Sequence, residues 1–126
     1  MVKQAIVSSE LASPVGPFSQ AIVTDGYIFF SGQVGQDPAT GKLTGGGLEA
    51  ETERVFQNLK AVLSAAGKTF DDVVRVGVYL ARMSDFAAMN TIYAKYFSQP
   101  YPARTTIAVA GLPLGASVEM DLVVKA

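Results

Sequence analysis

The sequence predicts an α+β fold, one mixed sheet with two helices gathered on one face, in the order β-β-β-α-β-α-β-β. Three observations predict it. The chain has 126 residues, 49% of them hydrophobic and 17% charged, which suits one compact domain spanning 1–126. An Asp25-Gly26 pair joins two runs of β-branched and aromatic residues, the strongest short-range hairpin signal. The apolar period then changes from two residues to a helical one over 48–66, and both periods recur further on.

Each element has its own warrant. Residues 3–8 read as a short strand, and Ser13-Pro14-Val15-Gly16-Pro17 then forbids regular structure because proline fixes φ and removes a donor. Residues 19–24 and 27–31 form the hairpin around Asp25-Gly26. Residues 36–47, with Asp37-Pro38, Gly41 and Gly45-Gly46-Gly47, read as a mobile surface loop. From 48 to 66, Val55, Leu59, Val62, Leu63 and Ala66 fall on one helical stripe, with Glu51, Arg54, Gln57, Lys60 and Ser64 elsewhere. Glu49, Glu51 and Glu53 suit the positive end of the helix dipole, and Gly67 suits its C-terminal exit. Residues 73–80 are a strand with Val74, Val76, Val78 and Leu80 on one side. Ser84 or Asp85 is placed to cap a second helix carrying Phe86, Met89, Tyr93 and Tyr96/Phe97, which Gln99-Pro100-Tyr101-Pro102 ends. Residues 105–110 and 117–125 are the last two strands, the final one alternating Val118, Met120, Leu122 and Val124 with Glu119, Asp121, Val123 and Lys125.

Two helices cover one face of such a sheet, yet Tyr27 to Phe30 and Thr106 to Ala110 are uncharged on both faces. Burying one large apolar side chain contributes roughly 1.5–3 kcal/mol, so the second face is expected to pack against further copies of the chain. Ten basic and eleven acidic residues leave a net charge of -1, too little for a field that recruits nucleic acid or membrane. No cysteine or histidine is present, which removes disulfides, thiolate nucleophiles, imidazole bases and the usual zinc and iron sites. No apolar run reaches the roughly 18 residues of a membrane span, and the N-terminus does not read as a signal peptide. The default location is the cytoplasm.

Chemistry then falls to charges embedded in strand sequence. Between 100 and 118 the one charged side chain is Arg104, whose planar fork fits a carboxylate. It either binds a small anionic ligand or pairs with Glu119 or Asp121. Glu119 points opposite to Val118 and Met120, and is either a base acting on water or a solvated charge on an edge strand. Ser31-Gly32-Gln33 closes the third strand, where Gly admits a ligand close to the backbone. Asn90 binds a loop or stands exposed. Tyr27, Tyr79, Tyr93 and Tyr96 read mostly as core.

Gly16-Pro17-Phe18-Ser19-Gln20-Ala21, Phe30-Ser31-Gly32-Gln33, Asp37-Pro38-Ala39-Thr40-Gly41, Asn58-Leu59 and Ala65-Ala66-Gly67 form one half of a longer pattern. Met83-Ser84-Asp85-Phe86, Met89-Asn90, Tyr93, Pro102-Ala103-Arg104-Thr105, Leu112-Pro113 and Glu119 complete it. In order and spacing these stretches resemble the RidA (YjgF) family of reactive-intermediate deaminases along the whole chain. The resemblance implies a chorismate-mutase-like fold in a homotrimer, sheets packed into a central barrel, and three clefts between subunits. It implies hydrolysis of small 2-imino acids or their enamines to 2-keto acids and ammonia, with no cofactor and no metal. Arg104 then matches the family's carboxylate clamp and Glu119 the residue that orients or activates water. Ser31 and Gly32 match cleft residues, and Asn90 and Pro113 match positions near it. Two departures stand out: Phe18 where the family commonly has Tyr, and Thr106 where Cys is frequent, leaving its backbone as a ligand contact. Competing expectations are an RNA-cleaving or translation-inhibiting protein, disfavoured by scattered Lys and Arg and an isoelectric point near 5.3, and a non-catalytic sensor or holdase on the same scaffold.

Overall fold

The computed structural model describes residues 2–126. Strands β1 (Gln4–Ile6), β2 (Ala21–Thr24) and β3 (Tyr27–Val34) precede helix α1 (Gly47–Ala65) and strand β4 (Val73–Leu80). Helix α2 (Phe86–Tyr93) and strands β5 (Ala103–Ala108) and β6 (Val118–Lys125) complete the chain. The sheet runs β1-β2-β3-β6-β4-β5; β4 and β5 are parallel and the other pairs antiparallel. The expected order, mixed sheet and one-sided helices are all present.

The core lies between the helices and one sheet face. Val118, Met120, Leu122 and Val124 of β6 are buried there, beneath Val55, Phe56, Leu59, Val62 and Leu63 of α1. Each contributes about 1.5–3 kcal/mol. Helix α1 exits as its sequence predicts: Gly67 takes φ 71° and its N–H donates to Ser64, while the Lys68 N–H donates to Leu63. These two bonds satisfy carbonyls the helix end would leave orphaned.

Several expectations shift. Val74 is exposed and Val73 buried, because a bulge between Val73 and Arg75 turns the start of β4 over by one residue. Helix α2 is shorter than its apolar period, ending at Tyr93, with a 3-10 turn at Met83–Asp85 ahead of it. Asp85 occupies its N-cap position without a side-chain capping bond, since φ -86° and ψ 0° are helical and the carboxylate does not reach back. Glu51 is not on the wet side of α1: it is 6% exposed and accepts from the Ser117 N–H at 2.8 Å. Residues 36–47 form a braced turn, with Asp37 N–H donating to Lys42, Gly41 N–H to Asp37, and Thr44 N–H to Gly35.

The face away from the helices is open in the protomer. Tyr27 and Phe29 (48% exposed) present neighbouring rings there, with Val123 on the adjacent strand β6 and Ile107 on the edge strand β5. Tyr27 is therefore a surface residue, not core.

Candidate functional site

The sheet register decides where the charged candidates lie. β6 is interior, flanked by β3 and β4, so Glu119 is not on an edge strand. Alternation puts Val118 and Met120 under the helices and Glu119 and Asp121 on the open face. β3 carries a bulge: Phe30 pairs with Leu122, but Gln33 pairs with Met120. The extra residue brings Gly32 over the Glu119 side chain. A Cβ at Gly32 would collide with Glu119 Oε2 and lie 2.9 Å from its carboxyl carbon, so a larger residue here requires the Glu119 carboxyl to move aside. Glu119 is partly buried, and burial, followed by the charge of Asp121, raises its pKa above the ordinary carboxylate value. Asp121 is itself held by the Tyr79 hydroxyl, which donates to it at 3.0 Å. Gly77 gives that pair its room, as a Cβ there would strike Asp121 Oδ1.

A cavity of about 330 Å³ opens beside Glu119. Phe18, Gly32, Gln33, Pro113 and Leu114 line it, with Asn58 at its floor, where its amide donates to the carbonyls of Val34 and Gln36. Leu114 takes a left-handed φ of 62° in the Pro113–Gly115 turn. Gln36, Pro38 and Gly41 of the braced turn form one wall. Ser31 stands next to Gly32 with its hydroxyl donating to the Ser19 carbonyl at 2.6 Å and its N–H donating to Gln20. It pins the Phe18 segment to β3 and keeps acceptor capacity only.

Arg104 is not in this cavity. It lies on β5, the edge strand, in register with Val76, whose side chain is under the helices. Its guanidinium carbon sits 4.6 Å from the Tyr93 ring centroid and 5.6 Å from that of Phe86, both on α2. Arg104 and Glu119 therefore face opposite sides of the sheet. Strand spacings place their Cα atoms roughly 14 Å apart. The pairing of Arg104 with Glu119 or Asp121 is excluded by this register, and among the described residues no carboxylate lies within salt-bridge distance of it. Thr106 is one alternation further along β5 on Arg104's side, and Asn90 shares the α2 face of Phe86 and Tyr93 by helical spacing.

The residues expected from sequence thus fall into two separate groups: Phe18, Gly32, Pro113 and Glu119, with Ser31 behind them, and Arg104, Thr106 and Asn90. Sequence reasoning missed Asp121 and Tyr79 beside Glu119, and the rings of Phe86 and Tyr93 against the Arg104 guanidinium. The first pair was visible as a second acid two residues along the same strand, and the second as aromatics seven apart on one helix.

A family model described as Endoribonuclease L-PSP matches residues 8–126. The chain belongs to this family, the RidA (YjgF) proteins. Among RidA relatives, it is 38% identical over 123 residues to a human protein named 2-iminobutanoate/2-iminopropanoate deaminase, covering 98% of this chain and 90% of that one. A RutC family protein from Pyrococcus abyssi is 42% identical, covering 98% and 97%. The crystal structure of RidA from the Antarctic bacterium Psychrobacter superposes with a TM-score of 0.92 at 40% identity, over 98% of this chain and 99% of that one. The fold is that of the RidA family. Among the described residues no helix is long and apolar enough to cross a membrane.

Proposed function

We propose that this RidA-family chain is a cytoplasmic hydrolytic deaminase of reactive 2-imino acids, such as 2-iminobutanoate and 2-iminopropanoate, acting as a homotrimer without a cofactor. One observation carries the reading: a permanent cation with no acid partner in its own protomer, and a raised carboxylate beside a cavity that contains no cation. Each half lacks what the other holds. Packing the β5 edge of one copy against the cleft of the next, with the open apolar faces turned inward, would complete the site. The deaminase name of the human relative supports the substrate class.

In such a site Arg104 grips the substrate carboxylate through two parallel hydrogen bonds and sets the C=N carbon at a fixed point. Glu119 takes a proton from water, whose oxygen bonds to that carbon as the C=N π electrons move to nitrogen. Glu119 then passes that proton to nitrogen. The carbinol O–H gives its own proton to the freed carboxylate as the C=O bond forms and the C–N bond breaks, releasing ammonia and a 2-keto acid. The last proton leaves Glu119 to solvent. The protonated imine is already electrophilic, so positioning and one proton relay suffice. Gly32 lets substrate approach the backbone; Asn90, Thr106 and Pro113 line the rim. The test couples an amino-acid dehydratase or oxidase to this protein and follows the imine. Accelerated loss of imine with release of ammonia is expected, whereas binding of 2-keto acid without acceleration would leave a sensor. The scattered Lys and Arg and the isoelectric point near 5.3 favour a small acid over RNA.

Two smaller predictions belong here. Glu119 works as a base when deprotonated, so activity falls as pH drops through its raised pKa, above the ordinary carboxylate range. Asp121→Asn removes the second cause of the rise and shifts that acidic limb to lower pH, without abolishing the shift due to burial. The pH profile of kcat, with Tyr79→Phe as the control for the freed hydroxyl, checks it; an unmoved limb sinks the coupling. Phe18→Tyr places a phenol at the cavity mouth and is expected to leave activity unchanged or raise it by up to about ten-fold, one added hydrogen bond. A clear loss would show the mouth is arranged otherwise.

A further inference from the structure

A guanidinium on a long side chain grips a carboxylate well only if its plane is held before the ligand arrives. Among the described residues no acid lies within salt-bridge distance of Arg104. What lies against it is the Tyr93 ring, with Phe86 further out. Tyr93 is itself immobile by packing: it is 7% exposed, 4.6 Å from the Phe97 ring and edge-on to Phe56 at 6.0 Å. Phe56 in turn stacks on Tyr96 at 4.2 Å. The Tyr93 hydroxyl is buried beside Arg104, and the ring contacts hold the side chain in place. Burial raises the phenol's pKa against the opposing pull of Arg104, which keeps the ring neutral and its face available to a cation.

We propose that Tyr93, assisted by Phe86, is a positioning residue for Arg104. The stacked rings take up a face of the guanidinium and leave its N–H edge free for a carboxylate. The stacking stands on the protomer alone; the identity of the carboxylate rests on the deaminase reading above. The helix that covers the core thereby also sets the geometry of the edge strand's cation.

The experiment compares Tyr93→Leu, Phe86→Leu and Tyr93→Phe in the assembled protein. It reads 2-oxobutanoate affinity, KM and kcat for 2-iminobutanoate, and nitrogen relaxation at Arg104 Nε. Tyr93→Leu is expected to weaken 2-oxobutanoate binding and raise KM about 3- to 30-fold, with greater Nε mobility. Phe86→Leu, at a more exposed position, moves the same quantities about 2- to 5-fold. Tyr93→Phe, which keeps the ring, recovers most of what Tyr93→Leu loses. Should Tyr93→Leu fail to fold, Phe86→Leu decides. Unchanged Nε mobility and affinity on loss of either ring would overturn the proposal, as would Tyr93→Phe losing as much as Tyr93→Leu. If the unaltered protein binds no 2-oxobutanoate and deaminates nothing, the deaminase reading fails, while Arg104 Nε mobility still decides the role of the rings.

Discussion

Mixing Arg104→Ala chains with Glu119→Ala chains, each inactive alone, is expected to restore about a quarter of the activity of the unaltered protein when the two are unfolded and reassembled together in equal amounts. The opposite orientation of the two side chains makes this necessary if they act on one substrate. Each site then draws Arg104 from one copy and Glu119 from the next. In a random equal mixture, half the copies carry the arginine and half the glutamate, so one site in four holds both. Separately, Arg104→Ala is expected to abolish deamination with the assembly intact, because it removes the group proposed to grip the carboxylate. Glu119→Ala is expected to cut turnover by roughly 10²–10⁴-fold, the usual contribution of a positioned base, more than it weakens 2-keto acid binding. Recovery in the mixture, measured as ammonia release, tests the arrangement itself. No recovery would mean that both groups do not meet at a shared seam, and full activity in Arg104→Ala alone would end the clamp.

Gly32→Ala is expected to lower kcat by on the order of 10²-fold while the fold and assembly persist. The added methyl must displace the Glu119 carboxyl, which it would otherwise strike, and a displacement near 1 Å is enough to spoil the aim of a catalytic group. Gly32 does not need its glycine for backbone conformation, as it is not among the positive-φ residues. Stability is therefore expected to change far less than turnover. Thermal unfolding and sedimentation alongside the coupled assay separate the two. Unaltered turnover would show that the carboxyl can move without consequence, and so that Glu119 does not position the water.

These outcomes also show where sequence reading stops. The alternation of Val118, Met120, Leu122 and Val124 with acids placed Glu119 opposite the helices, and burial agrees. Alternation is local: one strand reports which residues share a side without knowing its neighbours. The position of β6 in the interior of the sheet, between strands far earlier in the chain, is a pairing choice that only the folded chain makes. For the same reason Arg104 and Glu119, both legible as unusual charges, read as one pair until the parallel register of β4 with β5 set the arginine on the helix side.

What the sequence alone determined is the element order, the stripe of α1 with its Gly67 exit, the apolar surplus of the open face, and the presence of two charges, Arg104 and Glu119, set within strand sequence. Propensity, periodicity and the chemistry of single side chains suffice for these, because each is fixed within a few residues. Only the tertiary structure decided that the bulge after Phe30 lays Gly32 on Glu119, that Tyr93 and Phe86 lie against Arg104, and that Arg104 and Glu119 face opposite sides of the sheet. Those are contacts between segments distant in sequence, set by strand register and by the packing of α2 over the sheet, neither of which a local pattern contains.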